Sequence, residues 1–486
     1  MTGPGPGRPV SDSLDVSGGN LPAELPADTA ASWSSRLASK ARGLAASTPV
    51  RNAGTRALIL PVSGLASFWT AHLIVQSVGS GALGIVTLVS TLPALVPFVD
   101  LGVGAAVANA VGDRQLNWDD RRRVIGVSAF VLTVSAAAFI GLVAGVTVLG
   151  VPWYKLLGLG PGELPHLTRD LVIVAAVFAL GLAPGLGYRV LLGADAYWAA
   201  QLVQLVTPAT TVSVTALAVS SRNIDAMIIA PVCGATLAAF VSAPVAARRV
   251  RVGLRTVLGH IRPGSAALRS RVLKTAVPMV AVTVGLPVAF QTDRLVLSHR
   301  SDPAALAAYA AVALLYVPAL SVVASAGFSL WPRFAAIRDD RDLSRSVFGR
   351  ALVGFALAGC GVGATLTIVG PLMTRLWAGQ DLATPSAWFA AGLLLAVQAF
   401  HVPAAMFLMD PRGLRLQAWC VPVMAAANLL ISWRLAPALG AAGPLLGSAV
   451  AVLLCQVFPG IVAVRRTVAV RRTVATRGRE ASGVRP

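Results

Sequence analysis

A run of four polar residues, Gln291-Thr292-Asp293-Arg294, interrupts one of the many apolar stretches of the sequence. Ionisable groups in such stretches usually face a wet cavity or one another, because an unpaired charge in lipid is costly. Gln291 and Arg294 are three residues apart and would share one face of a helix. We predict that Arg294 contacts an anionic ligand with Gln291 beside it. A local Asp293–Arg294 pair, or snorkelling of Arg294 towards the membrane interface, is the alternative interpretation.

Further polar residues lie inside other apolar stretches. Asp100 precedes Gly102 and Gly104, and we predict that Asp100 and Asp293 serve either ion coupling or the locking of neighbouring helices. Three pairs at helical spacing are further candidates for ligand binding: His72 and Gln76, Gln201 and Gln204, and Gln398 and His401. Amide and imidazole groups can hydrogen-bond sugar hydroxyls or neighbouring helices, so both roles are open.

Enzyme signatures are absent from the sequence. It has no P-loop, no Gly-x-Ser-x-Gly elbow and no His-Glu-x-x-His motif, so ATP hydrolysis by this chain is not expected. The four cysteines lie in apolar stretches without the spacing of metal ligands: Cys233, Cys360, Cys420 and Cys455. We therefore expect no catalytic residue, no metal and no cofactor.

The composition excludes a water-soluble enzyme. Of 486 residues, 56% are hydrophobic and 12% charged, whereas a soluble domain carries about 25% charged residues. Twelve apolar stretches approach the roughly 20 residues that a helix needs to cross a bilayer. They lie at about 57–78, 82–110, 124–150, 171–193, 198–220, 225–246, 275–298, 304–330, 348–370, 384–409, 416–435 and 441–464. We predict an all-α integral membrane protein of about twelve transmembrane helices.

Basic residues are distributed unevenly between the loops. When alternate loops are assigned to opposite sides, one side holds 33 of the 40 Lys and Arg residues and the other holds six. The positive-inside rule then places both termini in the cytoplasm, where the basic side faces anionic lipids. This distribution accounts for the net charge of +20 without nucleic acid, which is not an expected partner.

The basic segment after the sixth stretch divides the chain into halves of equal orientation, as in transporters with parallel repeats. The expected organisation is a disordered cytosolic tail (1–55), an N-terminal six-helix lobe (56–246), a cytosolic linker (247–273), a C-terminal six-helix lobe (274–464) and a basic cytosolic tail (465–486).

Four segments carry a family resemblance. They are GALGIVTLVSTLPALVPFVDLGVGAAV at 81–107, QTDRLVLSH at 291–299, FSLWPRFA at 328–335 and IVGPLMTRLWAGQ at 368–380. Together they resemble the polysaccharide (O-antigen, Wzx-like) flippases of the multidrug/oligosaccharidyl-lipid/polysaccharide exporter (MOP) superfamily. The matching positions are Phe98, Asp100 and Gly102; Asp293 and Arg294; Trp331 and Pro332; and Gly370, Pro371, Leu376, Trp377 and Gly379.

The resemblance implies two six-helix lobes around a central cavity. It also implies a transporter that moves an undecaprenyl-pyrophosphate-linked oligosaccharide from the inner to the outer leaflet of the bacterial cytoplasmic membrane. Expected partners are this lipid-linked oligosaccharide, membrane lipids, and the polysaccharide polymerase and glycosyltransferases of the same biosynthesis. Lipid II flippases carry several Arg residues in the first spans of their cavity, whereas spans 1 to 3 here have none in mid-membrane. A multidrug or cation antiporter, a membrane glycan-transfer enzyme and a scaffold are the rival interpretations.

Overall fold

The computed structural model describes residues 48–92, 103–112, 116–194, 196–250, 285–286, 289–337 and 340–467. By internal contacts the chain divides into Met1–Ala53 and Gly54–Pro486. Only the first residues of helix α1 fall in the described part of the former, and everything below concerns the latter. The described helices are α1 (Thr48–Val78), α2 (Ser80–Thr91), α3 (Val103–Gly112), α4 (Trp118–Val148), α5 (Trp153–Leu157), α6 (Leu167–Leu182), α7 (Leu186–Gly193), α8 (Tyr197–Gln204), α9 (Val206–Val219), α10 (Ile224–Val250), α11 (289–300), α12 (Pro303–Phe328), α13 (Leu330–Ile337), α14 (Arg341–Ala378), α15 (Pro385–Phe407), α16 (Pro411–Leu439) and α17 (Ala442–Val452).

Nine segments of the described chain are helical, long and apolar enough to cross a membrane, and they correspond to the predicted spans 3 to 6 and 8 to 12. The first predicted span lies within α1 and ends with it at residue 78, whereas the second and seventh include residues outside the described ranges. The all-α class of a multi-pass membrane protein is therefore confirmed. The division into lobes stays a prediction, and most of its linker lies outside the described residues.

Several helices begin at a capping residue followed by proline. The side chains of Asp302, Thr384 and Asp410 accept a hydrogen bond from a backbone N–H in the first turn of α12, α15 and α16. Proline follows each cap, where its missing N–H costs nothing and its fixed φ suits a helix. These starts fix the boundaries of the loops before the C-terminal helices.

Proline also explains where two predicted spans are interrupted. The span predicted at 171–193 ends its first helix at Leu182 and resumes at Leu186, around Pro184. The span predicted at 198–220 turns at Leu205, three residues before Pro208. A proline has no N–H for the carbonyl four residues earlier and its ring crowds that carbonyl, which disfavours the helix on its N-terminal side.

The last span contains a π-helical segment. After α17, residues Leu453–Val457 form a wider turn, and the helix then continues to Thr467. Gly460, beyond this turn, lies against Ala404 of α15, with a virtual Cβ 3.3 Å from the alanine methyl carbon. Such π-turns are frequent at functional sites.

Glycines allow close contacts between helices, for example between α14 and α15 and between α2 and α12. A Cβ on Gly363 of α14 would lie 2.4 Å from the carbonyl oxygen of Gly392 of α15, so these backbones touch directly. A Cβ on Gly84 of α2 would lie 2.9 Å from the backbone nitrogen of Ala307 in α12. Close approach of helices at small residues is a common way of packing in membranes.

The described residues of 48–250 contact those of 285–467 near helix ends that lie on the predicted external side of the membrane. Besides the contact of α2 with α12, Gly158 lies against Ser298, where a Cβ would be 2.6 Å from the carbonyl carbon. The ring of His299 also bonds the carbonyl of Lys155 at 3.1 Å. These residues adjoin the loops predicted to be external. In this structure the two halves of the chain therefore meet at that end.

Candidate functional site

The carboxylate of Asp293 is enclosed by uncharged donors from three helices. Its residue is 1% exposed. Tyr309 of α12 and Ser448 of α17 each donate a hydroxyl to Oδ2 at 3.1 Å. On Oδ1, Asn428 donates its amide at 3.0 Å and Ser432 donates its hydroxyl at 3.4 Å, both from α16. Uncharged hydrogen-bond donors thus stabilise this buried carboxylate, whereas buried carboxylates are often paired with a cation.

The donors around Asp293 also bond to one another. The amide of Asn428 donates its second N–H to the carbonyl of Ala289, while its oxygen lies 3.0 Å from Ser432 Oγ and 3.1 Å from Ser448 Oγ. Each serine hydroxyl has one proton, so it can serve either the carboxylate or the amide oxygen at a given moment. The network can therefore redistribute its hydrogen bonds when the charge on Asp293 changes.

Arg294 does not pair with Asp293. Its Nη1 donates to Gln291 Oε1 at 2.6 Å, and its guanidinium carbon lies 5.5 Å from the centre of the Tyr309 ring. Its Nε is buried and has no hydrogen-bond partner among the described residues. No carboxylate of the described chain lies within salt-bridge distance of this guanidinium, so Asp293 and Arg294 form no ion pair there. Among the described residues, the groups that contact the guanidinium are the neutral amide of Gln291 and the ring of Tyr309.

Gln398 and His401 lie in a second polar layer on α15. Gln398 accepts a hydrogen bond from the hydroxyl of Tyr316 at 2.6 Å and is 8% exposed. The Nδ1 atom of His401 is buried without a partner in the described structure, as is Nε2 of Gln456 in the π-helical segment. Buried polar atoms without a hydrogen-bond partner are uncommon in proteins, and they are often found at functional sites.

The other predicted site residues lie apart from these layers. The ring of His72 bonds the carbonyl of Trp377, joining α1 to the end of α14, whereas Gln76 is exposed. Gln201 and Gln204 are partly exposed on α8, and no side-chain hydrogen bond to either occurs among the described residues. Asp100 lies outside the described residues. The structure thus brings Asp293, Arg294 and Gln291 together, whereas Gln398 and His401 lie on α15, which is bonded to α12 through Tyr316.

Four residues of this site were missed in the sequence: Tyr309, Asn428, Ser432 and Ser448. The spacing of Asn428 and Ser432, four residues apart in one span, was a usable signal because it places both on one face of α16. Tyr309 and Ser448 carry no comparable pattern. Uncharged residues of these types are tolerated throughout membrane helices, so only the packing identifies them.

The described part of the chain has no group of three or more His, Cys, Asp or Glu side chains arranged so that it could hold a metal ion. A cation at Asp293 would meet a single carboxylate together with neutral oxygens. Divalent transition metals usually require more nitrogen, sulfur or carboxylate ligands than this. The arrangement suits the binding or release of a single positive charge.

Comparisons with known proteins find similarity at the level of structure. No family model matches the sequence, and no curated protein matches it. A multidrug resistance MATE family transporter of the MOP superfamily, in an inward-facing conformation, is similar with a TM-score of 0.62 and 14% identity, over 84% of this chain and 96% of that one. The lipid II flippase MurJ, in an inward closed conformation, is similar with a TM-score of 0.65 and 12% identity, over 84% and 87%. A MATE protein in complex with MaL6 has a TM-score of 0.52 and 13% identity, over 88% and 97%.

These neighbours are transporters and a flippase, and each is covered almost completely by the alignment. At such low identity the likeness concerns the fold, and function has to be argued from the site. The chain has the fold of the MOP-superfamily transporters.

Proposed function

We propose that this protein is a transporter that moves an undecaprenyl-pyrophosphate-linked oligosaccharide from the inner to the outer leaflet by alternating access, for the biosynthesis of a cell-surface polysaccharide. It would lie in the bacterial cytoplasmic membrane with both termini in the cytoplasm, as the positive-inside distribution favours. The fold supports a transporter, and the segments that resemble O-antigen flippases support the class of substrate.

Arg294 is the observation that carries the proposal. A pyrophosphate cannot cross hydrocarbon unless a cation compensates its charge, and the fork of arginine donors matches phosphate oxygens. Arg294 bonds only to the neutral amide of Gln291 among the described residues, and its Nε has no partner. Its charge is therefore available to an anionic ligand.

The remaining polar residues would bind sugar hydroxyls. Gln398 and His401 lie on α15, the helix that contributes the second polar layer beside Tyr316. For Gln201, Gln204, His72 and Gln76 the ligand-binding role stays a prediction, since none of them lies in the layers of Asp293 or Gln398. Asp293 is the proposed ion-coupling group, because the uncharged hydroxyls that bond its carboxylate can change their hydrogen-bond partners when its charge changes. Asp100 remains the other candidate for that role.

The decisive experiment deletes the gene and measures surface polysaccharide and the lipid-linked oligosaccharide left in the inner leaflet. We expect loss of the polysaccharide and accumulation of the lipid-linked intermediate. Complementation with Arg294→Ala should fail and Arg294→Lys should restore part of the activity, because lysine keeps the charge but loses the fork. Arg300→Ala is the matched control, since Arg300 lies on the same helix but is exposed and stacks on Trp433. Normal surface polysaccharide after deletion would contradict the proposal.

A multidrug or cation antiporter is the second candidate. The observation that favours it is the buried carboxylate of Asp293, since a carboxylate within a membrane protein is suited to a cationic substrate. The similar multidrug transporter is consistent with this alternative. The same deletion strain distinguishes the two functions, because loss of an antiporter would sensitise the cells to cationic dyes and leave surface polysaccharide intact.

A further inference from the structure

Tyr309 contacts both charged residues of α11. It is 7% exposed, its hydroxyl donates to Asp293 Oδ2 at 3.1 Å, and the centre of its ring lies 5.5 Å from the guanidinium carbon of Arg294. The hydroxyl of Tyr309 therefore contacts the carboxylate, and the face of its ring contacts the guanidinium.

Asp293 and Arg294 have no equivalent direct contact. Consecutive helical residues point about 100° apart, and the two side chains follow different neighbours. The Asp293 carboxylate turns towards α16 and α17, where Asn428 and Ser448 bond it. The Arg294 guanidinium turns towards Gln291. Among the described side chains, Tyr309 contacts both charged groups.

We propose that Tyr309 is a positioning residue that links the charge state of Asp293 to the strength with which Arg294 binds an anion. A hydrogen bond to a carboxylate is about twice as strong as one to a neutral acceptor. It makes the phenol oxygen and ring more negative, which favours the guanidinium on the ring face. Neutralising Asp293 removes this attraction and leaves Arg294 more available to a phosphate. This inference rests on the proposed function and assigns regulation to the same site.

The surroundings of Asp293 contain few other groups that could transmit its charge. Among the described residues, α16 and α17 present the uncharged Asn428, Ser432 and Ser448 to it. On α12, Tyr316 lies two turns beyond Tyr309 and bonds Gln398 of α15, and α15 also carries His401. Tyr316 is therefore a matched control, because it is a buried tyrosine of the same helix with a neutral partner.

The test is a double-mutant cycle on the purified full-length protein, with inorganic pyrophosphate as the probe and calorimetry as the readout. Asp293→Asn should raise the affinity for pyrophosphate by about 5-fold to 150-fold, the usual range of coupling between sites. In the Y309F background, which keeps the ring but loses the hydroxyl, the same substitution should change affinity by less than about twofold. The Y316F background should behave as the wild type.

Two results of this cycle would overturn the proposal. One is an unchanged effect of Asp293→Asn in the Y309F background, and the other is an equal loss of the effect in the Y316F background. If Y309F does not fold, Asp293→Asn in the wild type still decides, because an affinity that stays within about twofold excludes any coupling of this size.

A second readout needs no ligand. Phenylglyoxal modifies guanidinium groups, and its rate at Arg294 can be followed by peptide mass spectrometry, with exposed Arg300 as the internal standard. We expect Asp293→Asn to change the Arg294 rate several-fold in the wild type and not in the Y309F background. If wild-type protein binds no pyrophosphate, the anion site of the proposed function fails. The modification rates then still decide whether Tyr309 links the two charges.

Discussion

Replacing Gly84 by alanine should force apart the contact between α2 and α12. The added Cβ would lie 2.9 Å from the backbone nitrogen of Ala307, 3.0 Å from the Leu306 side chain and 3.1 Å from the Leu306 carbonyl carbon. Two of these three atoms belong to the backbone, so the clash cannot be relieved by a side-chain rotation. Overpacking of this kind costs about 1–3 kcal/mol.

The contact joins the two halves of the chain. The overpacking therefore destabilises the conformation in which the halves touch and leaves the fold of each half unchanged. A penalty of about 1–3 kcal/mol raises the population of separated arrangements about 5-fold to 150-fold. The assay is the rate at which maleimide labels a cysteine introduced at Leu88, which is 1% exposed and one turn from Gly84 on the same face. The background replaces the four native cysteines.

Gly81→Ala is the matched control. Gly81 lies in the same helix, and no atom lies within 4 Å of its virtual Cβ. We expect labelling at the wild-type rate in the control and a faster rate in Gly84→Ala, with unchanged elution on size exclusion. Equal labelling rates in both variants would refute the reasoning, since the clash would then be absorbed locally.

Three further predictions concern stability, and thermal unfolding in detergent measures each. Gly363→Val should cost about 1–3 kcal/mol because its Cβ meets a backbone carbonyl, whereas Gly361→Val, with nothing within 4 Å, should be close to neutral. Ser448→Ala removes one of the hydroxyl donors to the buried carboxylate and should cost about 0.6–1.7 kcal/mol; an unchanged melting temperature would mean that the other donors compensate fully. The guanidinium of Arg375 lowers the pKa of the exposed Asp381 carboxyl. This pair stabilises above the ordinary aspartate pKa and is lost as pH falls through the lowered value, but solvent screening makes Asp381→Asn shift the melting temperature by less than about 1 °C.

The membrane spans could be predicted from the sequence because hydrocarbon thickness imposes a length and a composition on every helix. The interruptions of the fourth and fifth spans were not predicted as such, although Pro184 and Pro208 were visible. Proline is tolerated in many membrane helices, as in α14, which continues through Pro371. Whether a helix breaks depends on neighbours that can bond the freed carbonyl.

The candidate site was predicted in part. Charge is rare within spans, so Asp293 and Arg294 could be identified from the sequence alone. Their separation into two environments could not, because it depends on Asn428 and Ser448 from helices far along the chain. The hydrogen bond of His72 could not be predicted either. Its partner is the backbone carbonyl of Trp377, and every residue has such a carbonyl, so the sequence does not identify this one.

The π-helical turn at Leu453–Val457 gives the last span an unusual tolerance to a change of length. A π-turn contains one residue more than a regular turn, so removal of one residue there would leave an ordinary α-helix whose two ends keep their buried faces. The same removal within Ala442–Val452 would rotate every later side chain by about 100° and turn Gly460 away from Ala404. Among homologous chains, single-residue deletions in the last span should accordingly occur in this turn more often than within Ala442–Val452.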